Sequence, residues 1–157
     1  MSLDKLLITF ILLLVPIGFF YWYTSEHDVT LSEIFTPKLS NIRIGDFSIP
    51  VEIARTDAER EKGLSGRDSL PPTKGLLFMF PDSDYHQFWM KDMNFSIDII
   101  WISEDLEVIG IDRGISPDTY PRTFRPSQPV KYVLETNAEY ADTYGLAVGQ
   151  KVRLPLE

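Results

Sequence analysis

IDIIWI, residues 97–102, is the stretch on which the fold turns. Its side chains are apolar on both faces except at Asp98, and a strand of that kind belongs in the middle of a covered sheet. Working outward, Phe47, Ile49, Val51 and Ile53 recur at a period of two, the mark of a half-buried strand. Pro50 within it points to an edge position. Further strands are expected over Leu76–Phe80, Gln87–Lys91, Glu107–Ile111, Val130–Thr136 and Val148–Leu154. Strands about every ten residues, broken by turn residues, predict a mainly β domain. The expected architecture is a β-sandwich or a partly open barrel with two short helices. Thr56-Asp57-Ala58-Glu59 is a capping box that opens the first helix, and Gly63 suits its C-terminal end. Asn137 is placed to cap the second, which runs to Tyr144 and closes at Gly145.

Composition narrows the chemistry. The chain has 157 residues and a formal net charge of −8, against the basic surface that nucleic-acid binding needs. It has no cysteine, which excludes thiolate catalysis, disulfides and cysteine metal sites. Its two histidines are His27 and His86, too few for a multi-histidine centre. Asp82-Ser83-Asp84 lacks the glycine and distant glutamate of a calcium loop. Gly63-Leu64-Ser65-Gly66 is followed by Arg67, which breaks the nucleophile-elbow pattern. No catalytic residue, metal or cofactor is therefore assigned from sequence.

Leu6–Tyr23 carries no charged residue and, as a helix, would be roughly 27 Å long, about one bilayer core. Tyr21, Trp22 and Tyr23 crowd its end, where aromatic rings favour the membrane interface. No small-residue cleavage site follows. The expected organisation is a cytoplasmic segment over 1–5, a retained membrane helix over 6–23, a linker over 24–37 and a β-rich domain over 38–157. Lys5 and the acidic flank of Glu26 and Asp28 orient the domain to the periplasmic or extracellular side of the cytoplasmic membrane.

Three segments, GLSGRDSLPPTKGLLFMF (63–80), FWMKDMNFSIDIIWI (88–102) and YVLETNAEYADTYGLAVGQKV (132–152), resemble the domain-of-unknown-function 192 family. The resemblance covers roughly residues 38 to 155. It implies a mainly β fold and brings no established activity, cofactor or catalytic residue. After Met90-Lys91 the family often has an uncharged pair and then Ile-Pro. This chain reads Asp92-Met93-Asn94-Phe95-Ser96, so a family site at that turn would be altered here.

Two constellations stand out. Asp98 alternates with Ile100 and Ile102, so it points into an apolar face, and a buried carboxylate needs a partner. Arg67 and Lys91 are the candidate partners. One reading is a structural salt bridge tying the Ser65–Leu70 segment to the sheet. The other is a ligand pocket of Arg67, Lys91, Asp98 and Glu135 with Trp89 as a stacking wall, suited to a carboxylate or a sugar. The second constellation is the stretch from Asp112 to Pro129, with four prolines and three arginines and no periodicity. Long structureless loops in compact domains are often functional, and arginine and aromatic residues anchor interfaces. Tyr120, Arg122, Phe124 and Arg125 are its candidate partner-facing residues. The functional expectation is a membrane-anchored accessory subunit, bound to the bilayer through Leu6–Tyr23 and docked on a membrane protein complex. The alternative is an envelope protein that binds or hydrolyses a small ligand or glycan.

Overall fold

The computed structural model describes residues 40–154. The membrane helix expected over Leu6–Tyr23 and the linker after it lie outside these residues. Among the described residues no helix is long and apolar enough to cross a membrane.

Among the described residues nine strands form in chain order: β1 (Ser40–Ile44), β2 (Phe47–Ala54), β3 (Gly75–Asp84), β4 (Phe88–Trp89), β5 (Ile97–Ile102), β6 (Val108–Ile115), β7 (Thr123–Phe124), β8 (Val130–Asn137) and β9 (Val152–Arg153). Helix α1 spans Asp57–Lys62 and helix α2 spans Tyr140–Thr143. Seven strands make one sheet in the order β6-β5-β8-β3-β2-β1-β9, and β4 pairs with β7 in a separate ribbon. The sheet curls into a half-barrel. Its two ends are tied where Val152 N–H donates to the Leu106 carbonyl and Val108 N–H to the Gln150 carbonyl, at 2.8 and 3.0 Å. Of the two expected architectures the partly open barrel is the one found. A single large sheet with a small ribbon is not a sandwich.

β5 lies between β6 and β8, and all six of its residues are buried. This is the central position that its two apolar faces predict. The even-numbered residues Ile100 and Ile102 share one face with Ile42, Val51, Leu77 and Leu134, under α2. The odd-numbered Ile97, Ile99 and Trp101 share the other with Leu76, Phe78 and Val133, under Leu64, Met90 and the ribbon. Each face thus has its own cover, and the sheet serves two cores.

Several boundaries differ from expectation. Pro50 is not on an edge strand, because β2 pairs with both β1 and β3. It is tolerated because the β3 ladder begins one residue later, at Val51. The strand expected over Gln87–Lys91 shrinks to two residues, and the one over Val148–Leu154 likewise. The stretch from Asp112 is not structureless. β6 continues through a bulge to Ile115, and β7 adds a second pairing, so contacts across the sheet supply order that no local period signals. Asn137 does not cap α2. Its side-chain amide donates to the carbonyls of Leu70 and Pro71, at 3.0 and 3.2 Å, and ties that loop to the end of β8.

Candidate functional site: a buried glutamate beneath an aromatic cleft

β8 sets Glu135 between Leu76 of β3 and Ile99 of β5. Its side chain shares the face of Phe78, Ile99 and Val133, because alternate residues of a strand point the same way. The residue is only 5% exposed, and its Oε2 has no hydrogen-bond partner in the protein. Burial in this apolar setting pushes the carboxyl up to about 8, and the Arg67 guanidinium pulls it only partly back. Arg67 is committed elsewhere. It makes a two-point bond to Glu52, Nη1 to Oε1 at 3.0 Å and Nη2 to Oε2 at 2.8 Å. Glu52, Leu76 and Glu135 occupy one row across β2, β3 and β8.

Above Glu135 opens a cleft of about 230 Å³. Phe78, Phe88 and Leu64 line its depth, and Phe80, His86 and Trp89 form part of its rim. Phe78 and Phe88 meet edge to face at 4.9 Å, and His86 stacks on Phe80 at 3.5 Å between ring centres. Trp89 is half exposed.

The far wall comes from α1 and the turn after it. The capping box closes in both directions: Glu59 N–H donates to Thr56 Oγ1 at 3.2 Å, and Glu59 Oε2 accepts from Thr56 N–H at 2.8 Å. The helix so fixed holds the Arg60 guanidinium 5.2 Å above the Phe80 ring, where it also donates to the Met79 carbonyl. Gly63 ends α1 with φ of +48°, and a Cβ there would stand 3.3 Å from Phe78 Cζ. Glycine therefore allows both the turn and its close seat on the cleft wall.

Of the five residues expected to form a pocket, the structure brings Trp89 and Glu135 into this cleft. Arg67 stands behind it. Lys91 is exposed, and its carbonyl accepts from Ser65 Oγ at 2.8 Å. Asp98 lies on the opposite face of the sheet. It is fully buried, as its alternation requires, but neither Arg67 nor Lys91 is its partner. Gly114 N–H donates to Oδ1 at 2.8 Å and Ala141 N–H to Oδ2 at 2.9 Å. Two backbone amides thus do what a cation was expected to do, joining β6 and α2 to β5. Arg60, Phe78, Phe80 and His86 were not anticipated as cleft residues. Phe78 and Phe80 alternate correctly for this face, but only the pairing of β3 with β8 sets them beside Glu135.

The four candidate interface residues also separate. Tyr120 is about half exposed, and Arg122 and Arg125 are exposed. Phe124 is buried, paired in the ribbon with Phe88, and the Arg122 guanidinium covers its ring at 4.8 Å. Phe124 is therefore part of the domain's own core. Among the described residues no three acidic or histidine side chains converge as a metal site would require.

No curated protein matches the chain. Among solved structures, a protein from Sinorhizobium meliloti, assigned provisionally as a transcription regulator, superimposes with a TM-score of 0.71 at 26% identity, covering 76% of this chain and 95% of that one. A protein of unknown function from Novosphingobium aromaticivorans superimposes with a TM-score of 0.70 at 28% identity, covering 73% of this chain and 84% of that one. The model of a family described as an uncharacterized ACR matches residues 40–154, and the chain belongs to that family, the domain-of-unknown-function 192 family.

Proposed function

We propose that this domain binds a small organic ligand in the cleft above Glu135. The observation that carries the reading is the unpartnered Glu135 carboxyl at the base of an aromatic-walled opening. A buried polar group without a partner costs roughly 1–3 kcal/mol, and such groups mark functional sites often enough to need an explanation. A ligand supplies one. Its apolar body packs against Phe78, Phe88 and Trp89, and its polar end reaches Glu135. Concave sites of this composition, with few polar groups in fixed places, are the usual form of small-ligand pockets.

The test is a fragment screen on the full-length protein in mild detergent, read by intrinsic fluorescence and thermal shift. Hits are expected to lose binding in Glu135→Gln and Trp89→Ala and to retain it in Lys91→Ala. Hits that respond to none of the cleft substitutions overturn the reading.

A second reading is docking on a membrane protein complex, with Leu6–Tyr23 as the anchor. The exposed side chains of Tyr120, Arg122 and Arg125 on the ribbon side support it. Co-purification at fixed stoichiometry, lost when these three become serine, is the expected result. Unchanged association would count against it.

A further inference from the structure

We infer that the ligand of the Glu135 cleft is a monovalent organic cation, an amidinium or ammonium group carried on a flat apolar body. The inference rests on the binding reading above and adds the charge of the ligand.

The charges around the cleft decide the sign. From β2, Glu52 faces Arg67 of the loop after α1, and the two cancel in their two-point bond. On α1, Arg60 pairs with Asp57 and also donates to the carbonyls of Arg55 and Met79. Glu61 and Lys62, both exposed at the rim, offset one another. His86 is stacked on Phe80 with Nε2 toward the Asp82 carbonyl. Among the described residues just named, the opposite charges are equal in number apart from the Glu135 carboxylate, which is left over. Once ionised, the site carries a single surplus negative charge, and a monocation completes it.

The shape agrees. Amidinium N–H groups match a carboxylate in two-point fashion and would satisfy Oε2. Aromatic faces attract cations, more strongly where water is excluded. The net charge of −8 on the whole chain draws cations inward over a longer range. An anionic group, which the sequence alone left open as a carboxylate ligand, gains no counter-ion from Glu135 and would meet a like charge once that carboxyl ionises.

Before a ligand binds, burial keeps Glu135 protonated up to about 8. The cation then takes the place of that proton. The Glu135 O–H bond breaks, the proton goes to solvent, and the carboxylate pairs with the ligand. The charge within the cleft before binding is zero, and after binding it is zero again.

Benzamidine and benzamide test this, because they share a shape and differ in charge. Calorimetry is run on the full-length protein in two buffers of different ionisation enthalpy. Benzamidine is expected to bind with release of about one proton near pH 7. Its affinity should rise about tenfold per pH unit up to about pH 8 and then level off. Glu135→Gln should remove both the binding and the proton release. That variant is nearly isosteric, and its melting temperature should match the wild type below about pH 4.5, where Glu135 is neutral in both the folded and the unfolded chain, and exceed it at higher pH. Benzamide binding as tightly as benzamidine, without proton release, would overturn the cation inference and leave the binding reading standing. The same holds if neither compound binds while neutral or anionic fragments occupy the cleft. If no fragment of any charge responds to the cleft substitutions, both readings fall.

Discussion

Glu135 and Asp98 are both buried carboxyl residues on neighbouring strands, yet their surroundings differ. Asp98 receives two backbone N–H groups, while Glu135 Oε2 receives none. Burial of Glu135 makes stability depend on pH. Its folded value of about 8 stands above the ordinary 4.5, so the folded state holds a proton that the unfolded state has lost between those values. Stability is therefore highest below about 4.5 as far as this group is concerned, and falls as pH rises toward 8. The full penalty is of the order of 5 kcal/mol and is an upper bound, since local opening would relieve it. Urea unfolding of the wild type between about pH 4 and 9 should show this loss, and Glu135→Gln should flatten it. For Asp98, alanine substitution removes the acceptor of two backbone amides, the Ala141 one buried, and should cost roughly 2–4 kcal/mol in denaturant unfolding. A double-mutant cycle of Asp98 with Arg67 should give a coupling near zero, because the two do not meet. A large coupling would contradict the amide-held Asp98 described above.

At the scale of elements, the β4–β7 ribbon has an inner and an outer side. Phe124 and Phe88 face the core, where Phe88 also meets Trp101 edge to face at 5.5 Å. Trp89, Tyr120, Arg122 and Arg125 are left outward. Phe124→Ala should thus destabilise the domain by about 3 kcal/mol, as truncation of a core aromatic does. Changing Tyr120, Arg122 and Arg125 together to serine should cost less than about 1 kcal/mol. Equal melting shifts for the two variants would show the ribbon to be packed differently. α1 illustrates the opposite case. It buries no residue of its own, so its hold on the cleft wall depends on its capping box and on the Arg60 contacts rather than on core packing.

For the whole molecule, the sheet order makes the last strand a clasp. β9 pairs with β1 and lies beside the segment before β6, so Val152, opposite Ile44, also reaches Leu106 at the other edge of the sheet. Val152 is buried against the face that carries Ile42 and Ile44. Val152→Ala should cost about 2 kcal/mol, and hydrogen-exchange protection should fall together in β1 and β6. A loss confined to β9 would mean that the half-barrel holds its curl without the clasp.

The sequence by itself determined the mainly β character, the central place of β5, the capping box of α1 and the burial of Asp98. Each of these follows from a local rule: a period of two, a capping spacing, or the face on which a side chain must lie. The family membership was also legible, in three segments that span most of the domain. What only the tertiary structure decided was which strand lies beside which. β2 pairs with β3 in parallel and β8 inserts between β3 and β5, pairings that join distant parts of the chain. Those pairings put Glu135 under Phe78, separate it from Asp98 by the thickness of the sheet, and turn Arg67 toward Glu52 instead. The physical reason is that side-chain period fixes a residue's face but carries no information about its neighbours across the sheet, and a site is made of those neighbours.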